Sequence, residues 1–170
     1  MRPTPADPAA RNAYLAEGNA TQARKRVAAD VLLRDPNGRV LLVRPTYKPG
    51  WDLPGGMAEA NEPPHDAATR ELREELGLAV TLRDVLVIDW VAPHGPWDDQ
   101  ISFIFDAGTL GEDQAAGIRP RDDEVAEVAF LFPERAGELL PSRLRDRFHA
   151  ALRALADGRP RYLHDAQPIR

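Results

Sequence analysis

The sequence predicts an α/β sandwich, a sheet covered on both faces by helices. Two observations predict it. Strand-like segments come as neighbours: an alternating run at residues 26–33 meets an apolar run at 40–43 through Asp35, Pro36, Asn37 and Gly38. Residues 64–76 and 143–156 instead repeat their apolar side chains at helical spacing. With 170 residues and 43% hydrophobic content the chain can bury one good core, so a single domain is expected.

The elements follow in order. Residues 1–22, with Pro3, Pro5 and Pro8, read as a poorly constrained arm packing through Tyr14 and Leu15. The Asn37-Gly38 pair supplies the positive dihedrals of a hairpin turn between the first two strands. Residues 64–76 form a helix: Pro64 suits its first turn, Asp66 sits near its positive end, and Gly77 terminates it in a left-handed conformation. Residues 78–91 contain a strand centred on Val85, Leu86, Val87 and Ile88. A loop at 93–99 leads to a second apolar strand at 101–105. Residues 107–123 read as a Gly/Asp-rich loop, 125–132 as a strand and 133–139 as a short helix. The helix at 143–156 carries Leu144, Phe148, Leu152 and Leu155 on one face and stops at Gly158; the tail from Arg159 is extended. The expected organisation is therefore an arm at 1–22, a domain at 23–157 and a tail at 158–170.

Composition excludes several classes. There is no cysteine, hence no disulfide, thiolate nucleophile or zinc–sulfur site. The formal charge of −5 argues against a general nucleic-acid binder, whose domain would be basic. No segment has the apolar length of a membrane span, and the first residues lack the apolar run of a signal peptide. The cytoplasm is the expected compartment. His65, His94, His149 and His164 are scattered, and none is a candidate ligand.

The chemistry lies in the helix at 64–76. Glu71, Glu74 and Glu75 stand at i, i+3 and i+4, so a helix holds them on one face. Like charges at that spacing cost roughly 0.2–0.5 kcal/mol per pair. A hard divalent cation with oxygen ligands, Mg²⁺ or Mn²⁺, is the simplest occupant that relieves this. Ala68, Leu72 and Leu76 form the apolar stripe beside the acidic face, with Arg70 and Arg73 on the opposite, solvated side. Upstream, Trp51, Asp52, Leu53, Pro54, Gly55 and Gly56 make a turn in which glycine lets backbone approach a ligand closely.

The run Gly56, five residues, Glu62, seven residues, then Arg70-Glu71-Leu72-x-Glu74-Glu75-x-Gly77-Leu78 matches the signature of the Nudix hydrolases at every defining position. Asn61 stands where relatives often carry glycine, and asparagine tolerates left-handed dihedrals better than most residues. The resemblance covers roughly residues 24–156. It implies a mixed sheet in an α/β/α sandwich, with the box helix facing the substrate cleft. It also implies hydrolysis of a phosphoanhydride in a nucleoside diphosphate linked to another moiety, supported by Mg²⁺ or Mn²⁺. Glu71 and Glu75 resemble the main metal carboxylates, with Glu74 as a further ligand or water-orienting group and the Gly55 carbonyl as an added ligand. Arg70 resembles the arginine that orients the box carboxylates, and Glu62 would fasten the loop to the helix. The family draws its general base from the box or from a later acidic loop, where Asp122, Asp123 and Glu124 are the candidates and Glu127 is an outsider. A homodimer is the assembly the resemblance suggests.

Substrate choice is expected in the loops around the cleft. Tyr47, Trp51 and Trp97 are candidates to stack on a base, with Trp51 equally readable as a core plug, and Arg44 and Lys48 are candidates to meet a phosphate. The compact length and the Trp51–Gly56 turn resemble MutT-like pyrophosphohydrolases acting on nucleoside triphosphates. Pro93, fifteen residues past the box, is where ADP-sugar hydrolases of the family tend to carry proline. Two other readings stand beside these: a non-catalytic Nudix-like nucleotide-binding domain, and an isoprenoid diphosphate isomerase, which the lack of cysteine disfavours.

Overall fold

The computed structural model describes residues 4–169. An eight-stranded mixed sheet forms its centre, in the order β6-β2-β1-β5-β4-β7-β8 with β3 paired to β1. The strands are β1 (Arg26–Arg34), β2 (Val40–Pro45), β3 (Gly55–Met57), β4 (Val85–Val91), β5 (Gln100–Thr109), β6 (Val125–Leu131), β7 (Arg161–His164) and β8 (Gln167–Pro168). β1 with β5 and β4 with β7 are parallel; the other pairs are antiparallel. The helices are α1 (Pro8–Thr21), α2 (Pro64–Leu76), α3 (Glu112–Gly117), α4 (Pro133–Leu139) and α5 (Ser142–Asp157).

Each sheet face buries its own core, because successive side chains of a strand point to opposite sides. Ala29, Val31 and Leu33 of β1 pack with Ala67, Ala68, Leu72 and Leu76 of α2. Leu32 of β1, Val87 of β4 and Ile104 of β5 pack with Leu144, Phe148 and Ala151 of α5. The predicted sandwich and both stripes of apolar spacing are therefore present.

The turn after β1 works differently from the expected Asn-Gly turn. Gly38 has φ +77, whereas Asn37 is not among the residues with positive φ. The organiser is Asp35, 1% exposed, whose carboxylate accepts from the backbone N–H of Asn37 and Arg39 and from Arg39 Nε. Burial works against that charge, but the Arg39 bonds prevail and hold the Asp35 carboxyl below its usual range.

Three other segments differ from the sequence reading. Residues 8–21 of the expected arm form α1, opened by Asp7, whose side chain accepts from Ala10 N–H; Leu15 is exposed and no residue of α1 is buried. Within 107–123 the chain first completes β5 and then forms α3, where a loop was expected. The tail from Arg159 is extended and also joins the sheet, with Leu163 opposite Asp89 and 1% exposed. Residues 1–3 of the arm and residue 170 of the tail lie outside the described residues.

Candidate active site

α2 carries the acidic face, and its ends are built as the sequence implies. Pro64 occupies the first turn, and Gly77 closes the helix at φ +66 with its N–H donated to Arg73 and Leu72 carbonyls. Asn61 adopts φ +62, the left-handed conformation it was expected to tolerate. α2 lies against β1 and β3, which places the Gly55-Gly56 segment directly beside the glutamates.

The two glycines are there for room. A Cβ on Gly55, whose φ is +140, would stand 2.3 Å from the Ala29 carbonyl oxygen, so only glycine lets β3 lie this close to β1. A Cβ on Gly56 would stand 2.6 Å from Glu71 Cδ. Gly56 is thus the floor on which the Glu71 carboxylate rests. Gly56→Ala is expected to keep the fold, because a flexible side chain can yield, while displacing Glu71. A Mn²⁺ titration followed by calorimetry should then show affinity lowered roughly 10–100-fold, the usual cost of disturbing a ligand's support.

Arg70 is not on a solvated face. Its side chain is 24% exposed and ties the segment together. Nε donates to Glu62 Oε1 at 2.9 Å, Nη2 to Glu62 Oε2 and the Met57 carbonyl at 3.1 Å, and Nη1 to Glu71 Oε1 and Glu74 Oε2 at 3.0 Å. The bidentate Glu62 contact is the strongest geometry a guanidinium offers. Glu62 also accepts from Glu59 N–H, and these bonds, Arg70's first, hold its carboxyl below the usual range. Arg73, by contrast, is exposed as expected.

Glu75 is the residue with no structural explanation. It is 6% exposed, and its Oε2 is buried without a hydrogen-bond partner. Burial pushes its carboxyl up to about 8, the Glu71 charge adds to this, and only a backbone hydrogen bond from Gly55 opposes it. Glu71, beside it, is raised as well, again mainly by burial. Glu74 is more open, its side chain 56% exposed and turned to Arg70. Among the described residues no group of three His, Asp or Glu side chains converges as it stands to hold a metal ion. A cation would therefore have to draw Glu71 toward Glu75. The donor set fits a hard ion: an unsatisfied buried carboxylate oxygen, a second half-buried carboxylate, and nearby peptide groups of Gly55.

The later acidic loop reaches this face through its backbone, Arg121 N–H donating to the Glu75 carbonyl at 2.7 Å. The charges of Asp122 and Glu124 both act on Glu75, and that of Glu124 also acts on Glu71. Asp123 instead offers its carbonyl to the Thr46 hydroxyl, and Glu127 is taken by Arg44 at 2.8 Å.

That last contact involves one of the substrate-side candidates. Arg44 and Glu127 face each other in the β2–β6 register and form an ion pair at the surface. Lys48 is paired with Asp52, and Trp51 is half-buried against the α5-side core, as a plug. Tyr47 is 68% exposed beside Lys48. Trp97 is 54% exposed, with the Arg26 guanidinium 4.5 Å from its ring centre.

Sequence reasoning missed two residues close to this cleft. Asp30 on β1 lies opposite Gly55, and burial raises its carboxyl, with Asp52 adding to the effect and Arg147 and Lys48 opposing it. Arg147 of α5 reads in sequence as one more solvated arginine, yet it lies 3.3 Å from Asp89, which is 1% exposed. The one available signal was an acid at Asp30 inside the otherwise apolar run 27–33.

Comparison with known proteins decides the family. The NUDIX domain model matches residues 24–153. The chain belongs to the Nudix hydrolase family. A MutT-like protein of Streptomyces ambofaciens is 28% identical over 72% of this chain and 76% of its own length. An ADP-ribose pyrophosphatase of Mycobacterium tuberculosis is 45% identical, but over only 35% of this chain and 31% of its own. A putative 8-oxo-dGTP diphosphatase of Bacillus subtilis is 30% identical over 69% of this chain and 74% of its own. Among solved structures, a MutT protein from Methanosarcina mazei superposes with a TM-score of 0.66, at 24% identity over 79% of this chain and 99% of that one. This Nudix chain thus has the family's mixed sheet flanked by helices. No helix among its described residues is long and apolar enough to cross a membrane.

Proposed function

We propose that this chain hydrolyses a phosphoanhydride of a nucleoside diphosphate linked to another moiety, with Mg²⁺ or Mn²⁺ as cofactor. A nucleoside triphosphate or related nucleotide is the first candidate substrate and ADP-ribose or an ADP-sugar the second. The observation that carries the proposal is Glu75: a buried carboxylate with an orphaned oxygen, adjoining Glu71. Both candidate classes have namesakes among the relatives, an 8-oxo-dGTP diphosphatase and an ADP-ribose pyrophosphatase.

The residues divide the work as follows. Glu71 and Glu75, with Glu74 and the Gly55 carbonyl in support, would hold the cation, which when bound neutralises phosphate charge and acidifies a coordinated water. Arg70, clamped by Glu62, fixes the bearing of Glu71 and Glu74. Glu124 and Asp122, whose charges act on Glu75, would accept a proton from the attacking water, Glu124 being our first choice. Asp122 is partly occupied, its Oδ1 accepting from Glu124 N–H at 3.0 Å.

The experiment is a substrate panel of nucleoside triphosphates, an oxidised triphosphate, ADP-ribose, nucleotide sugars and dinucleoside polyphosphates, each with Mg²⁺ and with Mn²⁺. Metal-dependent release of two phosphorylated products from at least one class is expected. One observation favours a purely nucleotide-binding domain instead: Arg70 occupies both Glu71 and Glu74, and among the described residues no three ligands converge. Tight nucleotide binding without turnover across the panel would establish that reading.

A further inference from the structure

Strand β6 enters the sheet with a one-residue offset. From Val40 to Arg44 each residue of β2 meets β6 in step, ending with Arg44 opposite Glu127, but Pro45 stands opposite Val125. Ala126 is therefore the extra residue of a bulge. Strict alternation back from Phe130 and Val128 would turn Ala126 into the core shared with α2. Val125 occupies that core instead, and Ala126 is exposed. The same offset brings Glu124, in place of Val125, opposite Thr46. Bulges are common beside active sites, where they change which side chain is presented.

Three hydrogen bonds fix that corner from the β2 side. Thr46 N–H donates to the Glu124 carbonyl at 2.8 Å. The Thr46 hydroxyl donates to the Asp123 carbonyl at 2.7 Å and to the Glu124 carbonyl at 3.3 Å. The other end of the segment is fixed to α2. Arg121 N–H donates to the Glu75 carbonyl at 2.7 Å, and its guanidinium lies against Gly77, where a Cβ would stand 2.9 Å from Nε. Asp122 closes the turn between, its Oδ1 accepting from Glu124 N–H at 3.0 Å. Residues 121–124 are thus strung between the last turn of α2 and the end of β2, and one anchor is the backbone of Glu75 itself.

Thr46 is exposed, and hydrogen bonds on an exposed loop add little stability because water competes for the same groups. What they supply is fixed geometry, and a displacement of about 1 Å near a reacting group costs on the order of 10²-fold in rate. Any residue but proline could give the backbone bond at position 46; the hydroxyl is what threonine adds. We infer that Thr46 is a positioning residue for hydrolysis: its hydroxyl, bonded to the Asp123 and Glu124 carbonyls, holds Glu124 in place relative to the Glu75 end of α2. This role rests on the proposed one of Glu124 as proton acceptor, and it gives Thr46 no contact with substrate or metal.

Thr46→Val removes the hydroxyl while keeping the side chain's shape and the backbone donor; Thr46→Ser keeps the hydroxyl and removes the methyl. Steady-state kinetics are measured for wild type, both variants, Glu124→Gln and the double variant Thr46→Val/Glu124→Gln, on the panel compound that wild type cleaves fastest. Thr46→Val is expected to lower kcat by about 10- to 100-fold, with KM and Mn²⁺ affinity within about twofold of wild type. Thr46→Ser should recover most of the loss. In the Glu124→Gln background Thr46→Val should cost nothing further, because residues that act as a unit are not additive. Unchanged kcat in Thr46→Val beside a low kcat in Glu124→Gln overturns the role of Thr46 and leaves that of Glu124 standing. Additive losses in the double variant, a parallel loss of Mn²⁺ affinity, or Thr46→Ser as slow as Thr46→Val overturns it too. Wild-type kcat in Glu124→Gln removes the proton-acceptor reading, and no turnover in wild type removes the hydrolase reading; the role of Thr46 falls with either.

Discussion

Glu75→Gln is expected to abolish turnover, by at least ~10²-fold in kcat, and at the same time to stabilise the metal-free protein at alkaline pH. The two effects have one cause. The Glu75 carboxylate is buried with Oε2 unpartnered and Glu71 beside it, so its negative charge is costly unless a cation compensates it. Glutamine removes the charge, retains an oxygen for the Gly55 N–H, and leaves a cation without a principal ligand. A residue that served only packing would behave differently, since its replacement would lower stability and activity together. Thermal unfolding in EDTA and steady-state kinetics on the same preparation separate these outcomes. Near-wild-type turnover in the variant would remove Glu75 from the metal site.

The second large effect concerns pH. The Glu75 carboxyl is raised from 4.5 to about 8 by folding, and Glu71 moves in the same direction. Between those values the folded protein keeps a proton that the unfolded chain has released. Stability is therefore undiminished below about 4.5, falls as pH rises through the window, and stays low above about 8. The loss is on the order of a few kcal/mol, or ~5 °C or more in Tm for a chain of this size. A bound divalent cation favours the ionised carboxylate and so offsets the loss. Melting curves at about pH 5.5 and about pH 8.5 should diverge in EDTA and converge in Mg²⁺. A Tm that rises with pH in EDTA would contradict the account.

Much of this site is legible in sequence because it is local. The 3.6-residue period alone puts Glu71, Glu74 and Glu75 on one face and Ala68, Leu72 and Leu76 on the next, and the buried stripe matches. Gly77 and Asn61 are readable for the same reason: a left-handed residue is a property of one position. Arg70 shows where local reasoning stops. Projection on a wheel sends it to solvent, but the 57–62 loop folds back and supplies Glu62 and the Met57 carbonyl. Contacts between distant strands are less legible still. Nothing near Arg44 in sequence announces Glu127, which only the β2–β6 register delivers. Asp30 and Arg147 lie on a strand and a helix far apart in the chain; Asp30 is signalled only as an acid in an apolar run, and Arg147 taken alone reads as an ordinary polar position. The short β7 was hidden because Leu163 is its only buried side chain, too little pattern to distinguish it from a tail.

The most direct test is crystallographic: wild-type protein grown with Mn²⁺, with anomalous scattering recorded at the manganese edge. The account predicts a peak between the Glu71 and Glu75 carboxylates, with Glu75 Oε2 bonded to it, and no such peak in Glu75→Gln. Saturating manganese with no ion between those two carboxylates, and Glu75 Oε2 still unpartnered, would contradict it.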